Sequence, residues 1–494
     1  VNFSFPTVTT EFYLAAMPVM ILCIAALVTM LQSVYRSIGS SSAVFGVSGV
    51  AMLAALVSVV TGRPAVETSY LGGTYLAGEL SAFGQMTILV LALLVTVLFR
   101  DHFLKARFFR GEIASLFLMI VAGMLTMVAS EDMVTLFVGL ELSSIGLYAV
   151  VGYLHPSRRS QEGAIKYFVL GSFAAALLLF GFALLYAATG SMRLSEIIEA
   201  LPKIADHSWV KLGLLFSLAG LGFKLALAPF HLWAPDTYEA APTGITAFMA
   251  TSVKVMVLIV TMRLFSGDMS QLYDAWLPGL MFLAVLSMVI GNIMALVQTS
   301  LKRMLAYSSI AHSGYMAIAI CAIAGTGAEF PVASILFYLV GYAIISIGAF
   351  AILMWLESEE NDNLLLDDLA GLARKHPWAS FALATFMFSF AGMPPTVGFM
   401  AKFFVFNAAI ANKLYSLVII GVIGSSISLY YYLRVIVKMY MEEPAKVVAQ
   451  VAPRRSLVTA AVLAAAIILT VLLGTVLPGP ALRSLVTTSQ EVAH

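Results

Sequence analysis

Four lysines and one glutamate sit where hydrocarbon would be expected to exclude them. Lys166, Lys224, Lys254, Lys402 and Glu141 each lie within an apolar run of about the 20 residues that cross a bilayer. Hydrocarbon tolerates neither an unpaired ammonium nor an open backbone group unless protein or water surrounds it. Desolvation disfavours a buried ammonium and a nearby carboxylate restores it. A change in their separation therefore changes the lysine's hold on its proton. The chemistry open to such a set is proton transfer.

The set is densest in GLGFKLALAPFHLWAPDTYEAAPTGITAFMATSVK, residues 220–254. Lys224 and Lys254 flank a segment broken by Pro229, Pro235 and Pro242 that carries His231, Asp236 and Glu239. Proline removes a backbone donor and clashes with the preceding turn, so the helix carrying Lys224 is expected to break there. Snorkelling to the interface is the rival reading for a lysine near a helix end, but Lys254 lies a dozen residues inside its run. Glu141, in DMVTLFVGLELSSIGLYAVVGY, shares a helix face with Ser144 and Tyr148. It reads either as a protonated interhelical bond or as the ion partner of a lysine. Lys166 follows Glu162 by four residues near a span start, so a local pair competes with function. Lys402, in GFMAKFFVF, follows a second break at Gly392-Met393-Pro394-Pro395 and has no adjacent acid.

His231 and His312 are candidate relays because imidazole titrates near neutrality. His312 lies in LAYSSIAHSGY, where Tyr307, Ser308, Ser309 and Ser313 could extend a hydrogen-bonded path; an ordinary interhelical bond explains it as well. No HExxH, paired-cysteine spacing, phosphate loop or nucleophile elbow appears, and Cys23 and Cys321 are too far apart in sequence to suggest a metal site. No metal or cofactor is expected on this chain, and redox chemistry would belong to partners.

These residues need a membrane scaffold to hold them. The 494 residues are 61% hydrophobic and 11% charged, with mean hydropathy +0.97, against about 25% charged in soluble domains. A net charge of +1 with no basic tract gives no reason to expect nucleic acid. The fold class is an all-α polytopic membrane protein. About fourteen spans are expected, near 12–32, 39–61, 77–99, 112–130, 132–153, 163–189, 209–228, 242–264, 274–298, 303–324, 331–356, 377–411, 414–439 and 456–478. No Lys or Arg precedes the first run, so it reads as a retained span and not a cleaved leader. With the four intramembrane lysines set aside, the other Lys and Arg divide between alternate loops as 16 and 7. The positive-inside rule then puts both termini on the non-cytoplasmic side.

Spans 4–8 carry an acid in the second helix and a lysine in the broken fourth; spans 9–13 carry His312 and Lys402 in the matching places. A five-span unit is odd-numbered, so its second copy must be inverted, as in many transporters. The expected organisation is three N-terminal helices (1–111), two inverted five-helix repeats (112–265 and 266–440) and a C-terminal helix (441–494). The acids of the loop 357–377 (Glu357, Glu359, Glu360, Asp362, Asp367, Asp368) read as mostly solvated surface, and Leu364, Leu369 and Leu372 as one face of a short amphipathic helix.

Four stretches, GFKLALAPFHLWAPDTYEAAPT, KRMLAYSSIAHSGY, DDLAGLARKHP and AGMPPTVGFMAKF, resemble the signatures of the antiporter-like subunits of bacterial respiratory complex I, the proton-translocating NADH:quinone oxidoreductase. The resemblance runs over nearly the whole chain and is closest to the N-type subunits. Lys402 sets it apart from M-type subunits, which carry glutamate there. The short tail after the last span leaves no room for the lateral helix of L-type subunits. The resemblance implies that Glu141 pairs with and tunes Lys224, that Lys166 is the sixth-helix lysine, and that Lys254 continues a central polar axis to Lys402. His231 would be the loop histidine and His312 the one after LAYSSIA. It further implies that NADH, flavin, iron–sulfur clusters and quinone belong to partner subunits, and that an M subunit and a small K-type subunit are neighbours in a bacterial inner membrane. A Mrp-type Na+/H+ antiporter subunit or a membrane-bound hydrogenase subunit is the alternative on the same scaffold.

Overall fold

The computed structural model describes residues 9–34, 41–64, 67–103, 111–153, 157–204, 207–265, 272–323, 328–357, 364–444 and 457–493. Among the described residues the chain is helical apart from turns and one hairpin, Thr68–Tyr70 paired with Tyr75–Ala77. The helices are α1 (Thr10–Val34), α2 (Ser41–Gly62), α3 (Glu79–Phe103), α4 (Glu112–Val128), α5 (Met133–Val151), α6 (Arg158–Thr189) and α7 (Leu194–Ala200). Next come α8 (Ser208–Lys224), α9 (Trp233–Ala240), α10 (Thr243–Leu264), α11 (Tyr273–Leu296), α12 (Leu301–Ile323) and α13 (Glu329–Leu356). The last are α14 (Leu372–Lys375), α15 (Pro377–Ala391), α16 (Val397–Ala411), α17 (Tyr415–Met441), α18 (Leu457–Thr475) and α19 (Pro478–Ala493).

Eleven of these, α1–α3, α5, α6, α10–α13, α17 and α18, are long and apolar enough to cross a bilayer, so the protein is a multi-pass membrane protein. The expected count of fourteen draws in addition on α4 and α8, each 17 residues, and on the 15-residue halves α15 and α16. At 1.5 Å per residue, 17 residues cover about 26 Å, slightly less than the hydrocarbon core.

Burial identifies the centre. The apolar windows of α10 and α12 are wholly buried inside the protein and that of α13 nearly so, whereas α18 is mostly exposed. A helix apolar on every side and surrounded by other helices has no lipid-facing stripe, so its few polar residues face protein. Lys254 and His312 lie on two of these three central helices.

The packing repeats. In α4–α10 the first helix packs on the second, the second on the third, the third on both parts of the broken fourth, and the first on the fifth. The same partnerships recur in α11–α17. Two arginines mark the correspondence. Arg263, near the end of α10, donates to the carbonyls of Val128 (2.6 Å) and Ser130 (3.3 Å) at the end of α4. Arg434, towards the end of α17, donates to those of Leu296 (3.0 Å) and Gln298 (2.7 Å) at the end of α11. In each set a guanidinium of the fifth helix satisfies the otherwise unpaired C-terminal carbonyls of the first.

The loop after α13 differs from the expectation. Glu357 is not on a solvated surface: it is 5% exposed, pairs with Lys302 at 2.8 Å and accepts from Thr243 Oγ1 at 2.6 Å. Lys302, counted from sequence among the loop cations, is 3% exposed. The pair joins the ends of α10, α12 and α13, and two charges this buried survive because each neutralises the other. Glu359, Glu360 and Asp362 lie outside the described residues. Leu364, Leu369 and Leu372 are all buried, yet they do not share one amphipathic helix. A 3-10 turn at Asp367–Leu369 is separated from the four-residue α14 by Gly371, at φ 64°. Glu79, the first residue of α3, bonds Arg63 at 3.0 Å.

Candidate functional site: a buried polar axis

Lys224 is the last residue of α8. The sequence run continues to Ala228, but the helix stops four residues earlier, and Ala226 takes the left-handed φ of 54°. The opened backbone is held by side chains. Ser313 Oγ donates to the Leu225 carbonyl (2.6 Å), Ser287 Oγ accepts from Ala228 N–H (2.8 Å), and Trp233 Nε1 donates to the Phe223 carbonyl (2.9 Å). This is irregular backbone surrounded by protein, the condition under which a membrane interior accepts it.

The Lys224 ammonium, 4% exposed as a residue, donates to Ser144 Oγ at 2.7 Å and reaches Tyr148 OH at 3.4 Å. The rings of Tyr148 and Tyr167 lie 5.3 and 5.5 Å from it, and Trp233 stacks on Tyr167 at 4.5 Å. Glu141 is electrostatically coupled to Lys224, but no ion pair within 4 Å joins them among the described residues. Its Oε1 is buried without a hydrogen-bond partner. The lysine is thus held by the hydroxyls one turn and two turns beyond the acid, on the face that the sequence assigned to Glu141.

Lys166 and His231 are brought together, on the rim of the first break. A cavity of about 620 Å³ is lined by both, together with Asp236, Arg303 and Tyr307. Lys166 bonds Glu162 at 2.7 Å and Asp236 at 2.8 Å; Arg303 bonds Asp236 at 2.6 Å and Glu239 at 3.2 Å. The Lys166 side chain is 44% exposed, so it belongs to the mouth, while its neighbour Tyr167 belongs to the Lys224 site. His231 Nδ1 is buried and unpartnered.

Lys254 occupies the centre. Its ammonium donates to the Ser309 carbonyl at 2.6 Å and lies 4.7 Å from the Tyr342 ring. Tyr238, on α9, and Tyr342, on α13, both interact with Ser309. His312 is one helical turn further along α12, and both Lys254 and Lys402 act on it electrostatically. Its two ring nitrogens bond Tyr338 OH (2.7 Å) and Tyr432 OH (3.2 Å). Tyr432 also bonds Ser308, so the histidine sits in a closed network of hydroxyls.

Lys402 ends the row. From the second turn of α16 it reaches back to the last carbonyls of α15, Phe390 (3.0 Å) and Ala391 (3.2 Å), and to Ser425 Oγ on α17 (2.9 Å). Gly392 holds the break at φ 78°, and a Cβ there would lie 3.0–3.2 Å from Lys402 Cδ and Nζ. The Tyr315 ring lies 5.1 Å from the ammonium, and Tyr315 OH continues to Asn292 at 3.1 Å.

The structure therefore places Lys224, Lys254, His312 and Lys402 along adjoining hydrogen-bonded networks, with Glu141 on the α5 face that holds Lys224 and with Lys166 and His231 lining the cavity beside the first break. Sequence reasoning overlooked the tyrosines between them, namely Tyr238, Tyr315, Tyr338, Tyr342 and Tyr432. The available signal was a phenol in the middle of an apolar run, which needs a partner for its hydroxyl. Among the described residues no group of three His, Cys, Asp or Glu side chains could hold a metal ion.

Known proteins share this chain's sequence pattern and fold. The family model described as NADH:quinone oxidoreductase/Mrp antiporter, TM matches residues 130–428. NADH-quinone oxidoreductase subunit N of Paramagnetospirillum magneticum is 36% identical over 87% of this chain and 88% of its own length. A chain of respiratory complex I from Thermus thermophilus with bound aureothin superposes with TM-score 0.81 at 31% identity, covering 95% of this chain and 99% of that one. A chain of the Mrp complex from Dietzia has the same fold, with TM-score 0.83 over 99% of this chain and 100% of its own, at 21% identity. The chain belongs to the NADH:quinone oxidoreductase/Mrp antiporter transmembrane family, as an antiporter-like membrane subunit akin to the N subunits of NADH-quinone oxidoreductase.

Proposed function

We propose that this chain moves protons along the axis from Glu141 through Lys224 and Lys254 to Lys402, driven by quinone reduction elsewhere in the same NADH:quinone oxidoreductase. The observation that carries the reading is the row of three buried ammonium groups, each seated on hydroxyls or carbonyls and none in direct contact with a carboxylate among the described residues. A lysine with only neutral partners is free to exchange its proton when a nearby charge moves. Glu141, coupled to Lys224 but not bonded to it, is such a charge. Lys166 and Asp236 border the mouth, with His231 set beside the break as the relay between the mouth and Lys224.

Several buried polar atoms around these helices have no protein partner: Glu141 Oε1, Tyr167 OH, His231 Nδ1, Thr237 Oγ1 and Ser252 Oγ. Unsatisfied buried groups are costly and uncommon, so their concentration here supports water as the carrier between the fixed groups. The chain binds no redox group in this reading. NADH, flavin, iron–sulfur clusters and quinone are handled by partner subunits, an M-type and a small K-type subunit lie beside it, and both termini face away from the bacterial cytoplasm. The two repeats, 112–265 and 266–440, supply one broken helix each.

The test is Lys254→Ala in the assembled complex reconstituted into vesicles. NADH oxidation should survive while proton uptake per NADH falls. Undiminished, coupled pumping would sink the axis.

A further inference from the structure

We propose that the groove between α13, α15 and α18 is a binding site for one anionic phospholipid. It encloses about 870 Å³, and Trp355, Phe381, Leu463 and Ile467 are among its walls. It lies away from the polar axis and none of the proton-carrying residues lines it.

Depth distinguishes the occupant. Along α18 the lining runs from Leu457 to Ile468, eleven residues or about 16 Å. That is close to half of a hydrocarbon core of about 30 Å. An acyl chain occupies one leaflet and fills such a groove, whereas a transmembrane helix of a neighbouring subunit crosses both leaflets and needs a slot twice as deep. The walls below the rim are apolar apart from Thr459, as suits a hydrocarbon chain.

The mouth selects the headgroup. Lys375, exposed, and His376 stand on the rim, next to Trp378, which is 83% exposed. An exposed tryptophan beside basic residues is the composition of a membrane–water interface. His376 Nε2 is buried with no hydrogen-bond partner, although its ring packs edge-on against Trp355. The first turn of α15 also lines the mouth and has no side-chain cap, so its backbone adds a favourable field for an anion. With each span crossing in turn, this mouth lies on the side that carries the 16 Lys and Arg. That is the side on which anionic lipid attracts basic residues.

The experiment uses the intact complex containing the full chain and two photoactivatable probes, phosphatidylglycerol and phosphatidylcholine, carrying the same diazirine acyl chain. The phosphatidylglycerol probe should label peptides of α15 and α18 about fivefold more than the phosphatidylcholine probe, the factor expected from one basic residue at an anionic headgroup. Lys375→Glu should erase that preference, and Ala464→Phe, which fills the groove, should abolish labelling by both probes. Equal labelling by the two lipids overturns the proposal, as does labelling that ignores both substitutions. A cross-link from Ala464→Cys to a neighbouring polypeptide in place of lipid also overturns it. If Ala464→Phe does not assemble, Lys375→Glu still decides, because the position is exposed.

Discussion

The two broken helices solve one problem in different ways. At the first, Lys224 is itself the end of α8, and its ammonium turns sideways to Ser144 and Tyr148 on α5. At the second, Lys402 starts on the far side of the gap and reaches back to the final carbonyls of α15. The first ammonium is therefore coupled to an ionisable neighbour, Glu141, while the second rests on the fixed negative end of a helix dipole. A charge that can be neutralised or moved makes a switch; a backbone dipole does not titrate and makes a seat. On the proposed axis, this difference would put the drive at the first break and the reception at the second.

The largest expected effect comes from removing the ammonium groups. Lys402→Ala leaves buried carbonyls unpaired as well as ending the axis, so it should lower both proton uptake per NADH and the melting temperature of the complex. Lys224→Ala should lower uptake with a smaller change in melting, since Ser144 keeps the bond it already donates to the Leu140 carbonyl at 2.5 Å. Equal melting losses at the two sites would break the comparison. Glu141→Gln should come next: it keeps the shape, removes the movable charge and should slow pumping without affecting assembly. Normal pumping in Glu141→Gln would make the first break a passive seat like the second.

Hydroxyl deletions should separate the sites more finely. Ser144→Ala removes the shortest hydrogen bond to the Lys224 ammonium, worth about 1.5–3 kcal/mol for a charged group. Ser425→Ala removes one of three at Lys402 and should cost less, as read by thermal unfolding of the purified complex. The smallest effects belong to the backbone. Gly392→Ala forces a side chain into a left-handed position and should destabilise by about 1–2 kcal/mol. Ala226→Gly, at φ 54° in the other break, should recover about 1 kcal/mol of the same strain. A loss on Ala226→Gly would show that buried packing at that methyl outweighs the backbone.

Much of this was legible in the residues. Apolar runs identified the membrane class, because no other fold hides so much hydrocarbon, and the prolines located both breaks. The lysines stood out because hydrocarbon makes each one costly. Less legible was anything that depends on a neighbouring helix. Glu357 looked like one acid among six in a polar loop, and only the folded ends of α10 and α12 bring Thr243 and Lys302 to it. Lys224 was expected opposite Glu141, yet Ser144 holds it, since a shift of three residues along α5 lies below what periodicity resolves. The fourteen-span count is equally sensitive to neighbours, for a 17-residue helix can be completed by the loop packed at its end.

The sequence by itself determined that this protein lives in a membrane and which of its residues set a charge inside an apolar run. Those properties follow from composition and from local backbone rules, which need no partner. Tertiary structure alone decided what each charge touches: two hydroxyls at Lys224, one carbonyl and a tyrosine ring at Lys254, a helix end at Lys402. Residues far apart in sequence meet only when helices cross, and the proton affinity of a buried lysine is set by those meetings.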